Sequence, residues 1–140
     1  MRFCIGLFLF QCLTICLDAQ NVELKHPIDL QLEVCHATPE NQTTYGMIQC
    51  ESDAQTAWDT ELNESYQQLM KVLKPAEKQK LRESQRAWMK FRDLEFDFSD
   101  HMHYEMSGTM YRVMAAGRRT EFIRQRALDL KQYYKTYSLE

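Results

Sequence analysis

The feature that most constrains the fold is a long helical periodicity in the middle of the chain. Between residues 47 and 73, apolar residues recur mostly every three or four positions, a spacing typical of one face of an α-helix. Pro75 then suits the first turn of a new helix, because its missing N–H would have no partner there. The same spacing resumes from Leu81 to Phe98. The pattern therefore predicts two long helices, and their short connection predicts antiparallel neighbours.

The rest of the chain favours the same class of fold. Thr43 or Thr44 is a suitable cap for the first long helix, and Gly108 marks the end of the second. A third helical region follows over residues 109–137, with Gly117 as a predicted kink. With no convincing strand and 140 residues, the chain is predicted to form one all-α domain over residues 43–140. We expect an antiparallel helix hairpin with a packed C-terminal helix, and one disulfide near the N-terminus.

Residues 1–19 are typical of a secretory signal peptide. Arg2 precedes a short apolar run that ends at Leu17, and the small residue Ala19 follows. The run is shorter than the roughly 20 residues that span a bilayer. Two alternatives stay open: an uncleaved anchor, which would be the only membrane contact, and a lipoprotein signal with Cys16 as the lipidated residue. The favoured interpretation predicts a periplasmic or secreted protein.

Residues 20–42 are polar and contain Pro27 and Pro39. We expect an extended lead-in with a short helical turn around residues 30–34. Removal of the signal peptide leaves two cysteines, Cys35 and Cys50, and an even pair in an exported protein predicts a disulfide. The bond should stabilise the fold by about 3 kcal/mol in the chain-entropy model. A metal site that includes His36 is the alternative, although the Cys-x-x-Cys spacing is absent.

Polar residues interrupt the inner faces of the two long helices. In an antiparallel pair, one register brings each of them opposite a polar partner. The predicted pairs are Asp59 with Arg92, Asn63 with Trp88, and Tyr66 with Gln85. Because a slipped register would leave a buried charge unpaired, these contacts are predicted to fix how the helices align. A catalytic role for Asp59 or Arg92 is the alternative.

The same two segments carry a family resemblance. "DTELNESYQQLM" and "LRESQRAWMKFRD" resemble the paired helical motifs of the LprI-type lysozyme inhibitor family, which are small exported bacterial proteins. The matching residues are Asp59, Leu62, Asn63, Tyr66 and Leu69 in the first segment, then Gln85, Arg86, Trp88, Phe91, Arg92 and Asp93 in the second. The resemblance covers roughly residues 35–130, and the two cysteines resemble the first pair of the family. It implies a protein that binds lysozyme.

The chain departs from the family at a second cysteine pair, which members usually carry. Phe96 stands at the first of those positions, and no cysteine follows Cys50. We expect Phe96 to replace the missing covalent link by packing against Ala115 or Ala116.

A cluster of carboxylates is the predicted partner-binding surface. It consists of Asp93, Glu95, Asp97 and Asp100. An acidic surface would attract a basic animal-type lysozyme, and both Asp97 and Asp100 are expected to be exposed. A simple solvated helix face is the alternative at the residue level. At the level of function, the alternative is an envelope structural or stress protein that binds cell-wall components or another envelope protein.

Other function classes receive little support from the sequence. The net charge of −3 argues against nucleic-acid binding, and the common hydrolase, phosphate-loop and zinc-protease motifs are absent. We therefore predict a non-catalytic protein without a cofactor or metal. His101 and His103 have no distinctive metal-ligand spacing. Four methionines at intervals of four are predicted to fill the core: Met102, Met106, Met110 and Met114. A flexible binding groove lined by these methionines is the alternative.

Overall fold

The computed structural model describes residues 25–139, and these residues form four α-helices. The predicted all-α class is confirmed, and the described part of the chain contains no strand. None of its helices is long and apolar enough to cross a membrane. The predicted signal peptide lies outside the described residues. The helices are α1 (Pro27–Ala37), α2 (Thr44–Val72), α3 (Pro75–Tyr104) and α4 (Met110–Ser138), with a 3₁₀ turn (Pro39–Asn41) before α2.

The ends of the long helices follow local chemistry. The Thr43 side chain accepts a hydrogen bond from the backbone N–H of Gly46 at 3.0 Å and so caps α2. Gly46 is required there, because a Cβ would lie 2.6 Å from the backbone of Asn41. Pro75 occupies the first turn of α3, as predicted. Gly108 supplies the positive φ of 115° in the turn between α3 and α4.

The C-terminal helix α4 is the centre of the fold. Both α2 and α3 pack on α4, whereas α2 and α3 do not pack closely on each other along their length. The buried core joins all three helices: Trp58, Leu62 and Leu69 from α2, Leu81 from α3, and Ile123, Ala127 and Leu130 from α4. The hairpin is therefore present in connectivity, but α4 supplies most of the packing surface.

The predicted extended lead-in is wrong over residues 27–37, which form α1. Pro27 begins this helix, and the His26 ring nitrogen accepts from the backbone N–H of Ile28 at 3.4 Å. No residue of α1 is buried, so contacts with other elements hold it in place. The predicted disulfide between Cys35 and Cys50 is confirmed and links α1 to α2, with the two Cα atoms 5.8 Å apart.

The four spaced methionines are exposed, and their predicted place in the core is wrong. They flank the turn between α3 and α4, where no other described element covers them. Their exposed fractions are 40% for Met102, 43% for Met106, 56% for Met110 and 52% for Met114. Spacing alone did not reveal this, because equal spacing occurs on a covered and on an uncovered helix face.

The predicted kink at Gly117 is also absent, since α4 is continuous through this residue. A Cβ at Gly117 would lie 3.6 Å from the carboxylate of Glu51, which is an ordinary van der Waals contact, so the packing at this position does not require glycine. The buried Thr120 side chain, one turn later, donates a hydrogen bond to the backbone carbonyl of Glu51 at 3.0 Å. This hydrogen bond joins α4 to α2 at the level of Glu51.

Candidate functional site

The predicted polar pairs between α2 and α3 do not form in the structure. Arg92 donates hydrogen bonds to its neighbour Asp93 at 2.9 and 2.7 Å. Asn63 donates to the carboxylate and backbone carbonyl of Asp59, at 3.1 and 2.8 Å, within α2. Asp59 and Arg92 line one cleft without touching each other. The prediction failed because α4 packs against both helices and keeps their facing side chains apart.

The polar residues on the inner face of α3 instead contact α4. Gln85 is 9% exposed and accepts a hydrogen bond from Arg126 at 3.0 Å, rather than meeting Tyr66. Burial lowers the pKa of Arg126. Trp88 stacks on Phe122 with ring centroids 5.8 Å apart, and the Arg126 guanidinium lies 5.9 Å from the Trp88 ring centre. These contacts explain why α3 carries polar residues on its inner face.

Phe96 packs against Phe122 of α4, a partner that the sequence analysis did not name. The two rings meet edge to face at 5.8 Å, and the guanidinium of Arg119 lies 5.2 Å from the Phe96 ring centre. An aromatic contact thus joins α3 to α4 at the position where the sequence departs from the family pattern. The partner was not evident from sequence because the register between α3 and α4 is a tertiary property.

Three of the four carboxylates in the candidate partner-binding cluster have arginine partners. Arg118 pairs with Glu95 at 2.8 Å, Arg119 pairs with Asp100, and Arg92 pairs with Asp93. The expected exposure holds for Asp97 but is wrong for Asp100, whose side chain is only 25% exposed. Within residues 25–139, Asp97 has no ion-pair partner. The cluster is therefore much less negative as a surface than the sequence suggests.

The exposed side of α3 carries an apolar stripe, although Met102 within it was predicted to lie in the core. We call it the outer face of α3. Its residues follow one another at intervals of three or four and so share one side of the helix. They are Phe91, Leu94, Phe98 and Met102, exposed by 55%, 70%, 62% and 40%. A sequence signal existed, because α3 has this stripe in addition to the stripe that contacts α4, and one partner helix does not cover both. Within the stripe, Phe91 contacts Phe122 of α4, with ring centroids 5.5 Å apart.

Comparison with known proteins places the chain in a family. The family model for the lysozyme inhibitor LprI matches residues 35–130, and the chain belongs to the LprI family. The match includes the disulfide, the inner faces of the long helices and the outer face of α3.

A solved structure of an uncharacterised protein from Burkholderia thailandensis is similar to this chain. The two are 31% identical with a TM-score of 0.77, and the match covers 82% of this chain and 56% of the Burkholderia chain. This chain thus spans little more than half the length of that relative. The search of curated proteins found no match.

Proposed function

We propose that the protein is an exported, non-catalytic binding protein that inhibits a basic animal-type lysozyme. Membership of the LprI family supplies the class of partner. The observation that carries the proposal is the outer face of α3, where three large apolar side chains stand more than half exposed. Contiguous exposed apolar residues on a small protein are typical of an interaction surface.

The outer face of α3 has the chemistry of a protein interface. Phe91, Leu94 and Phe98 offer apolar anchors, and aromatic anchors contribute much of the binding energy at such interfaces. Asp97 lies one turn after Leu94 and beside Phe98, where a cation of a basic partner would meet it. Because arginines already pair with the neighbouring carboxylates, we expect apolar contact to dominate and salt to weaken binding only modestly.

Two features support export. The first 19 residues have the pattern of a secretory signal peptide. The Cys35–Cys50 disulfide is of the kind that persists in oxidising compartments. A periplasmic or secreted location is also where a lysozyme inhibitor would meet its target.

The proposal predicts that the purified mature protein slows lysis of bacterial cell walls by a basic animal-type lysozyme. Replacing Leu94 and Phe98 together by alanine should raise the inhibitory concentration by about tenfold or more, because it removes two exposed anchors. A matched control replaces Val34 and Tyr45, which are 68% and 78% exposed on other helices, and should leave inhibition unchanged. Lysis is followed as the loss of turbidity, and circular dichroism verifies that both variants are folded.

Two outcomes would contradict the proposal at different points. Inhibition that is equally strong in the Leu94→Ala, Phe98→Ala variant would place the interface on another surface. Absence of inhibition at micromolar protein against several classes of lysozyme would reject the lysozyme partner. The chain would then be interpreted as an envelope protein that shares the family fold without its named activity.

A further inference from the structure

A polar cleft opens between α2 and α3, away from the outer face of α3. Its volume is about 430 Å³, within the range of small-molecule sites. Phe96 and Ile123 contribute apolar surface to the cleft, and charged or polar side chains of all three long helices complete the lining. The lysozyme proposal makes no use of this cleft.

The α2 wall of the cleft is rich in hydrogen-bond acceptors. Thr56 and Thr60 donate their hydroxyl hydrogens to the backbone carbonyls of Ser52 and Thr56, at 2.9 and 3.1 Å, so their oxygens remain as acceptors. Asp59 adds a carboxylate, and Asn63 donates to only one of its two oxygens. This wall is therefore suited to an ammonium group.

The opposite wall presents two guanidinium groups and the carboxylate of Asp93. Arg92 uses Nε and Nη2 for Asp93, and Arg119 uses the same two nitrogens for Asp100. Within the described residues, Nη1 of each arginine has no hydrogen-bond partner. An arginine has five N–H donors, so both keep donors for a further anion. Arginine is well matched to a carboxylate because the two groups form paired hydrogen bonds.

The arrangement holds opposite charges apart across open space. Asp59 and Arg92 line the same cleft but each bonds only within its own helix. A ligand that carries both charges would satisfy both walls, whereas a simple cation or anion would leave one wall without a partner. The apolar lining would accommodate a small side chain of that ligand.

We propose that this cleft binds a small zwitterion of amino-acid to dipeptide size. Its ammonium group would face Asp59 and the two threonines, and its carboxylate would face Arg92 and Arg119. This function is independent of lysozyme inhibition, because its ligand and its surface differ.

The test titrates the full mature protein with Ala-Ala and monitors side-chain amide signals, including that of Gln55, by NMR. We expect Ala-Ala to bind, and expect N-acetyl-Ala-Ala and Ala-Ala amide, each of which lacks one charge, to bind about tenfold more weakly. Free alanine is measured alongside, and its affinity relative to Ala-Ala identifies which size of zwitterion fits. Because these ligand comparisons use the unaltered chain, they do not depend on the folding of a variant.

Variants then test which charged group of the ligand faces each wall of the cleft. Asp59→Asn should weaken Ala-Ala but not the N-acetyl form, which lacks the ammonium group. Arg92→Gln should weaken Ala-Ala but not the amide form. Asp97→Asn, on the outside of α3, is the matched control and should leave Ala-Ala binding unchanged. Asp59→Asn should in turn leave lysozyme inhibition unchanged, so the two proposals fail separately.

The proposal is overturned if Ala-Ala causes no shifts at about 10 mM, a concentration that would detect even a millimolar complex. It is also overturned if the blocked peptides bind as tightly as Ala-Ala, or if Asp59→Asn weakens the N-acetyl form as much as Ala-Ala.

Discussion

Among single residues, Arg124 makes an ion pair between distant parts of the chain. It donates hydrogen bonds to both carboxylate oxygens of Asp29, at 2.9 to 3.1 Å, and so ties α4 to α1. Its guanidinium also lies 5.5 Å from the ring centre of the buried Trp58. Hydrogen bonding to Asp29 raises the pKa of Arg124. The stabilisation from the charged guanidinium is therefore present below the ordinary arginine pKa and is lost as the pH rises through the raised pKa, far into the alkaline range.

We predict that Arg124 and Asp29 are energetically coupled, whereas Asp59 and Arg92 are not. Arg124→Ala and Asp29→Ala should each lower the free energy of unfolding by about 1 to 3 kcal/mol, because each leaves a largely shielded charge unpaired. The double variant should cost less than the sum of the single variants. For each pair, urea denaturation of the wild type, the two single variants and the double variant forms a double-mutant cycle that measures the coupling free energy.

The Asp59–Arg92 cycle is the matched comparison, because both pairs join charges on different helices but only one pair is in contact. Additive effects for Asp29 and Arg124 would show that their contact is absent in solution. Strong coupling between Asp59 and Arg92 would show that the cleft closes over a direct ion pair.

On the scale of elements, α1 is an attached helix rather than a core helix. It has 11 residues and buries none of them, and helices of that length are marginal on their own in water. The disulfide, the Asp29–Arg124 pair and the contact between the His26 and Trp58 rings, with centroids 4.4 Å apart, hold it in place. Two of these three contacts lie near opposite ends of the helix, at Asp29 and Cys35.

Removing the disulfide should therefore loosen α1 while α2 and α4 stay folded. We expect the Cys35→Ala, Cys50→Ala variant to lose about 3 kcal/mol of stability in the chain-entropy model. In hydrogen exchange, amides of α1 should lose protection before those of α4, because buried contacts hold α4 independently. Treatment of the variant with reductant is the control and should change nothing further. Loss of protection in all helices at once would mean that α1 is part of the cooperative core.

For the whole molecule, α4 makes the fold a single cooperative unit. It is the helix that both α2 and α3 contact, and it contributes five buried residues: Ala115, Thr120, Ile123, Ala127 and Leu130. Leu130 has no exposed surface, so shortening its side chain leaves a cavity that the surrounding residues fill only in part. A substitution that weakens the packing of α4 should consequently destabilise both α2 and α3.

We predict that Leu130→Ala lowers the free energy of unfolding by about 2 to 5 kcal/mol, the usual cost of a core cavity. Leu139→Ala, at the other extreme with 88% exposure, should have no measurable effect. In a Trp88→Phe background, fluorescence reports Trp58 of α2 and circular dichroism reports all helices. The two thermal transitions should coincide. An earlier transition of Trp58 would show that α2 unfolds apart from the rest.

Local sequence determined the long helices of this protein, although not α1. The periodicity of α2, the cap at Thr43, the proline at position 75 and the glycine at 108 act within one or two helical turns, so each is readable without a partner. The Cys35–Cys50 bond was also predictable, because only two cysteines follow the signal-like segment. Family membership was predictable for the same reason, since its motifs are short and contiguous.

Tertiary structure alone decided what each helix face meets. Gln85 had a plausible partner on α2, but the register of α4 gave it Arg126 instead, and the same register placed Phe122 against Phe96. The same packing left Phe98 and Met102 exposed, although their spacing equals that of core residues. The physical reason is that periodicity specifies which residues share a face, whereas the burial of that face depends on where a distant helix packs. The open cleft beside Asp59 and the outer face of α3 both follow from the position of α4.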